Sequence, residues 1–206
     1  GLDMVGDVIT QETLWSCTTC RACVDECPVL IEHVDAIVDM RRYLTLTMGS
    51  IPGTAALGLQ NLNRAGNPWG QPSTARSEWA QGLNVPLMAD KGEAEVLWWV
   101  GCAGSYDERG QKVSKALAKI FNAAGVDYAI LGQEETCNGD PARRLGDEYT
   151  FQVMAQQNID TLQQYQFKRI VTACPHCFST LSNEYPDLGG KWEVVHHSQF
   201  VYDLIG

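Results

Sequence analysis

Cys17, Cys20, Cys23 and Cys27 fall within eleven residues, and Pro28 follows the last of them. The spacing is C-x-x-C-x-x-C-x-x-x-C-P, the run of bacterial ferredoxins. Three thiolates at intervals of three let successive peptide units wrap one inorganic cluster, each sulfur meeting a different iron. The proline then directs the chain away after the fourth. Zinc usually takes two pairs of ligands from separate loops, so this register favours an iron–sulfur cluster over a zinc site. In two-cluster ferredoxins the fourth cysteine of a run serves the other cluster. On that rule Cys17, Cys20 and Cys23 need a fourth ligand from elsewhere, and Cys27 faces a neighbouring cluster position. The alternative is that Cys27 closes a single cluster. No cysteine precedes Cys17, and the first residue is Gly1 rather than Met, so a module incomplete at its N-terminus is expected.

The other four of the eight cysteines are Cys102, Cys137, Cys174 and Cys177. Their chemistry depends on the elements that carry them. Apolar runs at 95–100, 127–131, 169–173 and 192–197 read as strands. Between them Val113, Ala116, Leu117, Ile120 and Phe121, then Phe151, Met154, Ala155, Ile159 and Leu162, keep helical spacing. Pro175 suits the first turn of a third helix, and residues 200–205 form a last one behind the N-cap candidate Ser198. Strand alternating with helix predicts a parallel sheet covered by helices. A turn at Gly-Cys-Ala-Gly carries Cys102, and Cys137 and the Cys174/Cys177 pair likewise follow strand ends. Ligands of open parallel sheets bind at that edge, near helix N-termini that favour an anionic group. A second cluster held by these four cysteines is the expectation.

Upstream, Ile31, Val34, Ile37 and Val38 predict a helix reaching residue 44. From 48 to 92 the chain carries four of its eight prolines and reads as a long irregular connection, with a short helix near 74–81. The expected class is α+β: a helical ferredoxin-like [4Fe–4S] domain over 1–48, a Pro/Gly-rich connector over 49–92, and an α/β parallel-sheet cysteine-rich domain over 93–206.

The chain has 206 residues, 45% of them hydrophobic, and a formal charge of −10, which suits a globular protein and argues against a nucleic-acid surface. No apolar run reaches the roughly 20 residues of a membrane helix. Residues 1–10 show no basic, apolar leader, so disulfides are not expected. Cys174-Pro175-His176-Cys177 also fits thiol–disulfide exchange, though that leaves Cys102 and Cys137 without a role.

The segments Leu14-Trp15-Ser16-Cys17-Thr18-Thr19-Cys20, Gly66-Asn67-Pro68-Trp69-Gly70, Gly101-Cys102, 137–146, 173–177 and His196-His197 together resemble the iron–sulfur oxidoreductases related to heterodisulfide reductase, with cysteine-rich CCG domains. The resemblance spans nearly the whole chain and is strongest to membrane-bound members that pass electrons from electron-transfer flavoprotein to quinone. It implies [4Fe–4S] clusters, a flavoprotein donor, a quinone- or haem-containing membrane partner, and a cytoplasmic position against the inner face of the membrane. It also implies a second ferredoxin run, a haem-binding segment upstream and another cysteine-rich repeat downstream, so a piece of a longer protein is expected. The family's paired cysteines before glycine appear here as Cys137-Asn138-Gly139. Four cysteines suffice for one cubane, which favours electron relay over a disulfide reductase acting at Cys174/Cys177. Arg143 and Arg144 are candidates for bonding cluster sulfurs, and Trp15 for shielding the first cluster.

Overall fold

In the computed structural model, which describes residues 1–205, three short helices open the chain: α1 (Gln11–Ser16), α2 (Ala22–Asp25) and α3 (His33–Arg42). Thr10 caps α1 by accepting the Thr13 amide at 3.2 Å. Val34 and Val38, one turn apart on α3, bury themselves, and the helix widens into a π-turn at Tyr43–Thr47.

The connecting region is more ordered than its prolines imply. It contains α4 (Gly53–Ala65) and a 3-10 helix, Ser73–Ala80. Gly53 and Gly58 weaken the helical signal of α4, but Leu59 and Leu62 join the core of the sheet, and that packing outweighs propensity. The 3-10 helix buries Arg76 and Trp79.

The remainder runs α5 (Met88–Lys91), β1 (Glu93–Trp99), α6 (Gly101–Tyr106), α7 (Glu108–Ala123), β2 (Tyr128–Ala129), α8 (Asp140–Arg144), α9 (Glu148–Leu162), β3 (Gln166–Thr172), α10 (Pro175–Asn183), β4 (Glu193–His196) and α11 (His197–Ile205). Asp107 and Asp147 cap α7 and α9 through the Gly110 and Thr150 amides, at 2.7 and 3.0 Å. The strands form one parallel sheet in the order β2-β1-β3-β4. Strand periodicity divides the core in two. Leu97, Trp99 and Ile170 face α9 and α4, together with Cys102, Cys137 and Cys177. Val96, Trp98 and Val171 face α7 and α11 on the other side. The protein is thus a mixture of helices with a parallel sheet, as expected.

Two local expectations shift. The Gly-Cys-Ala-Gly segment opens α6 rather than forming an isolated turn. The strand expected at 127–131 is shorter, because Ile130 pairs with the segment before α5: its amide reaches Pro86 O at 3.0 Å, and its carbonyl accepts Met88 N at 2.8 Å. Among the described residues no helix is long and apolar enough to cross a membrane.

Candidate metal centre

Trp99 ends β1, and the chain turns at once through Gly101, whose φ is +76°. A Cβ there would lie 3.2 Å from Cys177 Sγ, so glycine lets the start of α6 approach the Cys174/Cys177 segment. Cys102 therefore sits beside the end of β3. Cys174 is the N-cap of α10, with Pro175 in the first turn and Cys177 following. Cys137 arrives from a different loop. Its amide donates to Gly66 O at 2.8 Å, and its carbonyl accepts Asn158 Nδ2 at 2.9 Å. The Gly-Asn-Pro-Trp-Gly turn is in this way tied to the cysteine it faces.

Cys102, Cys137, Cys174 and Cys177 border one cavity of about 480 Å³, which Trp69 and Cys17 also line. Cys102, Cys137 and Cys177 are buried, and Cys174 is partly so. The thiols differ in acidity. A hydrogen bond from Cys177, helped by the amides of Cys177 and His176, lowers Cys174 to about 6 against the effect of burial. Cys177 is pushed far up by that same bond and by burial. Cys137 is lowered by its hydrogen bond with Cys102, whereas Cys102 is raised by it and by burial.

Arg76 approaches Cys102 Sγ through Nη2 at 3.3 Å and Nη1 at 3.7 Å. Its Nη2 also donates to Glu135 Oε1 at 3.0 Å. Glu135 accepts the Gly101 amide at 2.8 Å and the Val100 amide at 3.0 Å. Burial opposes the Arg76 charge, but Glu135 and Cys102 outweigh it and keep the guanidinium protonated. Burial raises the Glu135 carboxyl, with Arg76 and the two amides acting against that rise.

The N-terminal run is held differently. Cys17 lies on the shared cavity, and Cys20 lines an adjoining cleft of about 760 Å³ between α3 and α10. Cys23 is exposed and Cys27 partly buried, and neither borders these two spaces. The Thr19 amide points at Cys17 Sγ and the Ile31 amide at Cys27 Sγ, both at 3.4 Å. Thr19, Arg21 and Leu30 take positive φ values of 56°, 62° and 57°, a costly backbone for residues with side chains. Buried Arg41 donates to Leu14 O at 3.1 Å, Cys17 O at 2.6 Å and Arg144 O at 3.0 Å. That one guanidinium joins the run to the rim of the sheet. Gly146 permits the same approach, since a Cβ there would be 2.4 Å from Arg42 N.

The donor set fits an iron–sulfur group. Four thiols face a cavity, and Asn138 Nδ2, buried and without a hydrogen-bond partner among the described residues, belongs to a residue lining it. Asn138 Oδ1 is already engaged, accepting the Asp140 amide at 3.1 Å. Among the described residues no three His, Cys, Asp or Glu side chains converge on a point where one metal ion would sit. Four thiols on one cavity match the ligand number of a body that brings several irons and its own sulfides.

Several other expected residues have different partners. Arg143 and Arg144 pair with Glu184, and Arg144 also with Asp140 at 3.0 Å, instead of reaching a thiol. His176 bonds Asp140 at 3.1 Å, and Trp15 carries the Arg41 guanidinium 5.1 Å from its ring centre. His196 Nδ1 lies 2.7 Å from Ser198 Oγ. Arg76, Glu135 and Arg41 were not singled out from the sequence. Each acts across a long separation, and the faint signal was a cation and a tryptophan three residues apart, Arg76 and Trp79, in the short helix expected near 74–81.

Residues 96–182 match the family model of the CCG cysteine-rich domain. A probable membrane-anchored ferredoxin of Chromohalobacter salexigens is 54% identical over 96% of the chain. The EtfAB:quinone oxidoreductase of Syntrophomonas wolfei is 43% identical over 97% of it. A component of the dihydromethanophenazine:CoB–CoM heterodisulfide reductase of Methanosarcina barkeri is 27% identical over 95%. The chain spans 30%, 29% and 48% of these three relatives in turn. No solved structure matches it. Residues 96–182 therefore carry a CCG cysteine-rich domain, and nearly the whole chain is homologous to stretches of the larger proteins named above.

Proposed function

We propose that this chain is an iron–sulfur electron-transfer component of an oxidoreductase, taking electrons from a flavoprotein and passing them towards quinone or haem. Cys102, Cys137, Cys174 and Cys177 would hold one [4Fe–4S] cluster in the sheet domain, 93–206. Cys17, Cys20 and Cys23 would hold another in a ferredoxin-like domain, 1–48, with Cys27 directed to a neighbouring position. Residues 49–92 would strap the two together. When bound, such clusters supply reversible one-electron transfer. The protein's part is to supply thiolates, exclude water and set the charge around them. The observation that carries this reading is the cavity bordered by four thiols, from beyond the ends of β1 and β3 and from the loop after β2, and by Cys17 of the run. Cys17 on that cavity supports two neighbouring clusters, as a relay requires. Names of the relatives support a flavoprotein donor, a quinone acceptor and association with a membrane; a position on its cytoplasmic side belongs to the same proposal.

Anaerobic purification tests this directly. Broad absorbance at about 400 nm is expected from iron–sulfur charge transfer, with part of it lost in Cys137→Ser and a separate part lost in Cys20→Ser. Colourless, iron-free protein would remove the proposal.

The low pKa of Cys174 beside Cys177 favours a second reading, disulfide reduction at this pair. Heterodisulfide turnover by the iron-loaded chain, abolished by Cys174→Ser, would establish it. Absence of turnover with both clusters present supports the relay.

A further inference from the structure

Arg76 and Glu135 form an ion pair whose side chains are 3% and 1% exposed. Burying two charges carries a heavy desolvation cost before their attraction is counted, and apolar residues of similar volume often serve stability as well. The position of the pair gives it another use. Glu135 receives the amides of Val100 and Gly101, the two residues before Cys102, and thereby fixes the guanidinium that points two N–H groups at Cys102 Sγ. Tyr106 closes the remaining side, with Arg76 5.4 Å from its ring centre. Among the described residues no other cationic side chain lies within hydrogen-bonding distance of the four sheet-domain thiols.

We infer that Arg76, oriented by Glu135, is a positioning residue that raises the reduction potential of the group held by Cys102, Cys137, Cys174 and Cys177. The inference rests on the cluster proposed above. Adding one electron adds one negative charge, so a fixed cation on a ligating sulfur stabilises the reduced state more than the oxidised one. Water cannot screen the pair, because both partners are enclosed. Glu135 acts with the opposite sign and from behind the guanidinium. Neutralising the two residues should therefore move the potential in opposite directions.

The test is a mediated potentiometric titration of the anaerobically purified chain, followed by electron paramagnetic resonance. The sheet-domain midpoint is identified as the one that disappears in Cys137→Ser. Arg76→Gln should lower it by at least a tenfold change in the one-electron equilibrium, about 59 mV. Arg76→Lys, which keeps the charge and loses the planar fork, should recover most of that drop. Glu135→Gln should raise the midpoint. The midpoint assigned to the N-terminal run should stay in place throughout and serves as the internal standard. General damage to the site would shift both neutral variants the same way, so shifts of one sign, or no shift, overturn the inference. If Arg76→Gln fails to load iron, Glu135→Gln decides: a raised midpoint, beside an Arg76→Lys midpoint close to wild type, supports the inference, and a lowered or unmoved Glu135→Gln midpoint overturns it. Iron-free wild-type protein would remove both this inference and the proposed function, whereas iron-loaded protein with unmoved midpoints removes this inference alone.

Discussion

The two cysteine sets invert one another. Cys17, Cys20, Cys23 and Cys27 are neighbours in sequence, yet only Cys17 reaches the cavity of the sheet domain, and Cys20 and Cys23 are exposed. Cys102, Cys137, Cys174 and Cys177 are distant in sequence and border one space. The sheet set is positioned by strand ends, a glycine turn and the Asn158 and Arg76 side chains, all anchored in the core. The run has short helices, a positive-φ backbone and few buried apolar residues, chiefly Leu14, Val34, Val38 and Leu44. One site is prepared by the fold. On the proposed reading, the other would draw its order from the cluster it binds, because ligands that are not preassembled couple metal binding to folding.

Removing iron is the severest test of that contrast. In chelated protein, protease cleavage within 17–31 should rise by more than about tenfold, since the binding energy of a metal group becomes folding energy, about 10 kcal/mol in the strongest small domains. The sheet, 93–205, should keep its amide protection from hydrogen exchange. Simultaneous loss of protection in both halves would erase the distinction. Gly146→Val comes next in size. It places a branched side chain at φ +83° and into the Arg41–Arg42 backbone, so a loss of about 4 kcal/mol in thermal unfolding is expected. A variant as stable as wild type would mean that α3 and the α8–α9 turn are not tightly joined. Arg41→Met sharpens the same boundary more gently. It leaves the carbonyls of Leu14, Cys17 and Arg144 without their donor, and about 2–3 kcal/mol should be lost. Hydrogen exchange should speed up in residues 1–48 and stay unchanged in β1 and β3; equal acceleration everywhere would assign Arg41 to the common core.

This contrast also explains what could be read from the chain before folding. The thiols were legible by type and spacing, and β1, β3, α7 and α9 by period and length, because each announces itself within a few residues. α4 was not, since two glycines and a leading proline mask a helix whose stability comes from Leu59 and Leu62 meeting the sheet core. Arg76 and Glu135 are 59 residues apart and carry no local mark of their pairing. Arg143 and Arg144 were candidates for bonding cluster sulfurs, but Asp140 and Glu184 engage them. Side chains that act across tertiary distance become visible only when the strands bring their ends together.

The smallest effect expected is at Asn138, and it distinguishes a prepared site from an adapted one. The side chain performs two tasks that can be separated. Its Oδ1 accepts the Asp140 amide at 3.1 Å, which supports the start of α8 with or without iron. Its Nδ2 is buried and has no partner among the described residues, a cost of about 1–3 kcal/mol unless something in the cavity accepts its hydrogen bond. A cluster sulfide would do so, whereas an amide is too hard a donor to replace a thiolate on iron. Asn138→Ala should therefore be nearly neutral in iron-free protein, where the lost Asp140 contact is offset by relief of the orphaned N–H. In loaded protein the same change removes a satisfied bond, about 1 kcal/mol, and the sheet-domain cluster should be lost to chelator roughly fivefold faster. Unfolding of the two forms and bleaching at about 400 nm measure both halves. Equal destabilisation of loaded and iron-free protein would reduce Asn138 to a helix cap. It would also show that this wall of the cavity was not shaped around a cluster.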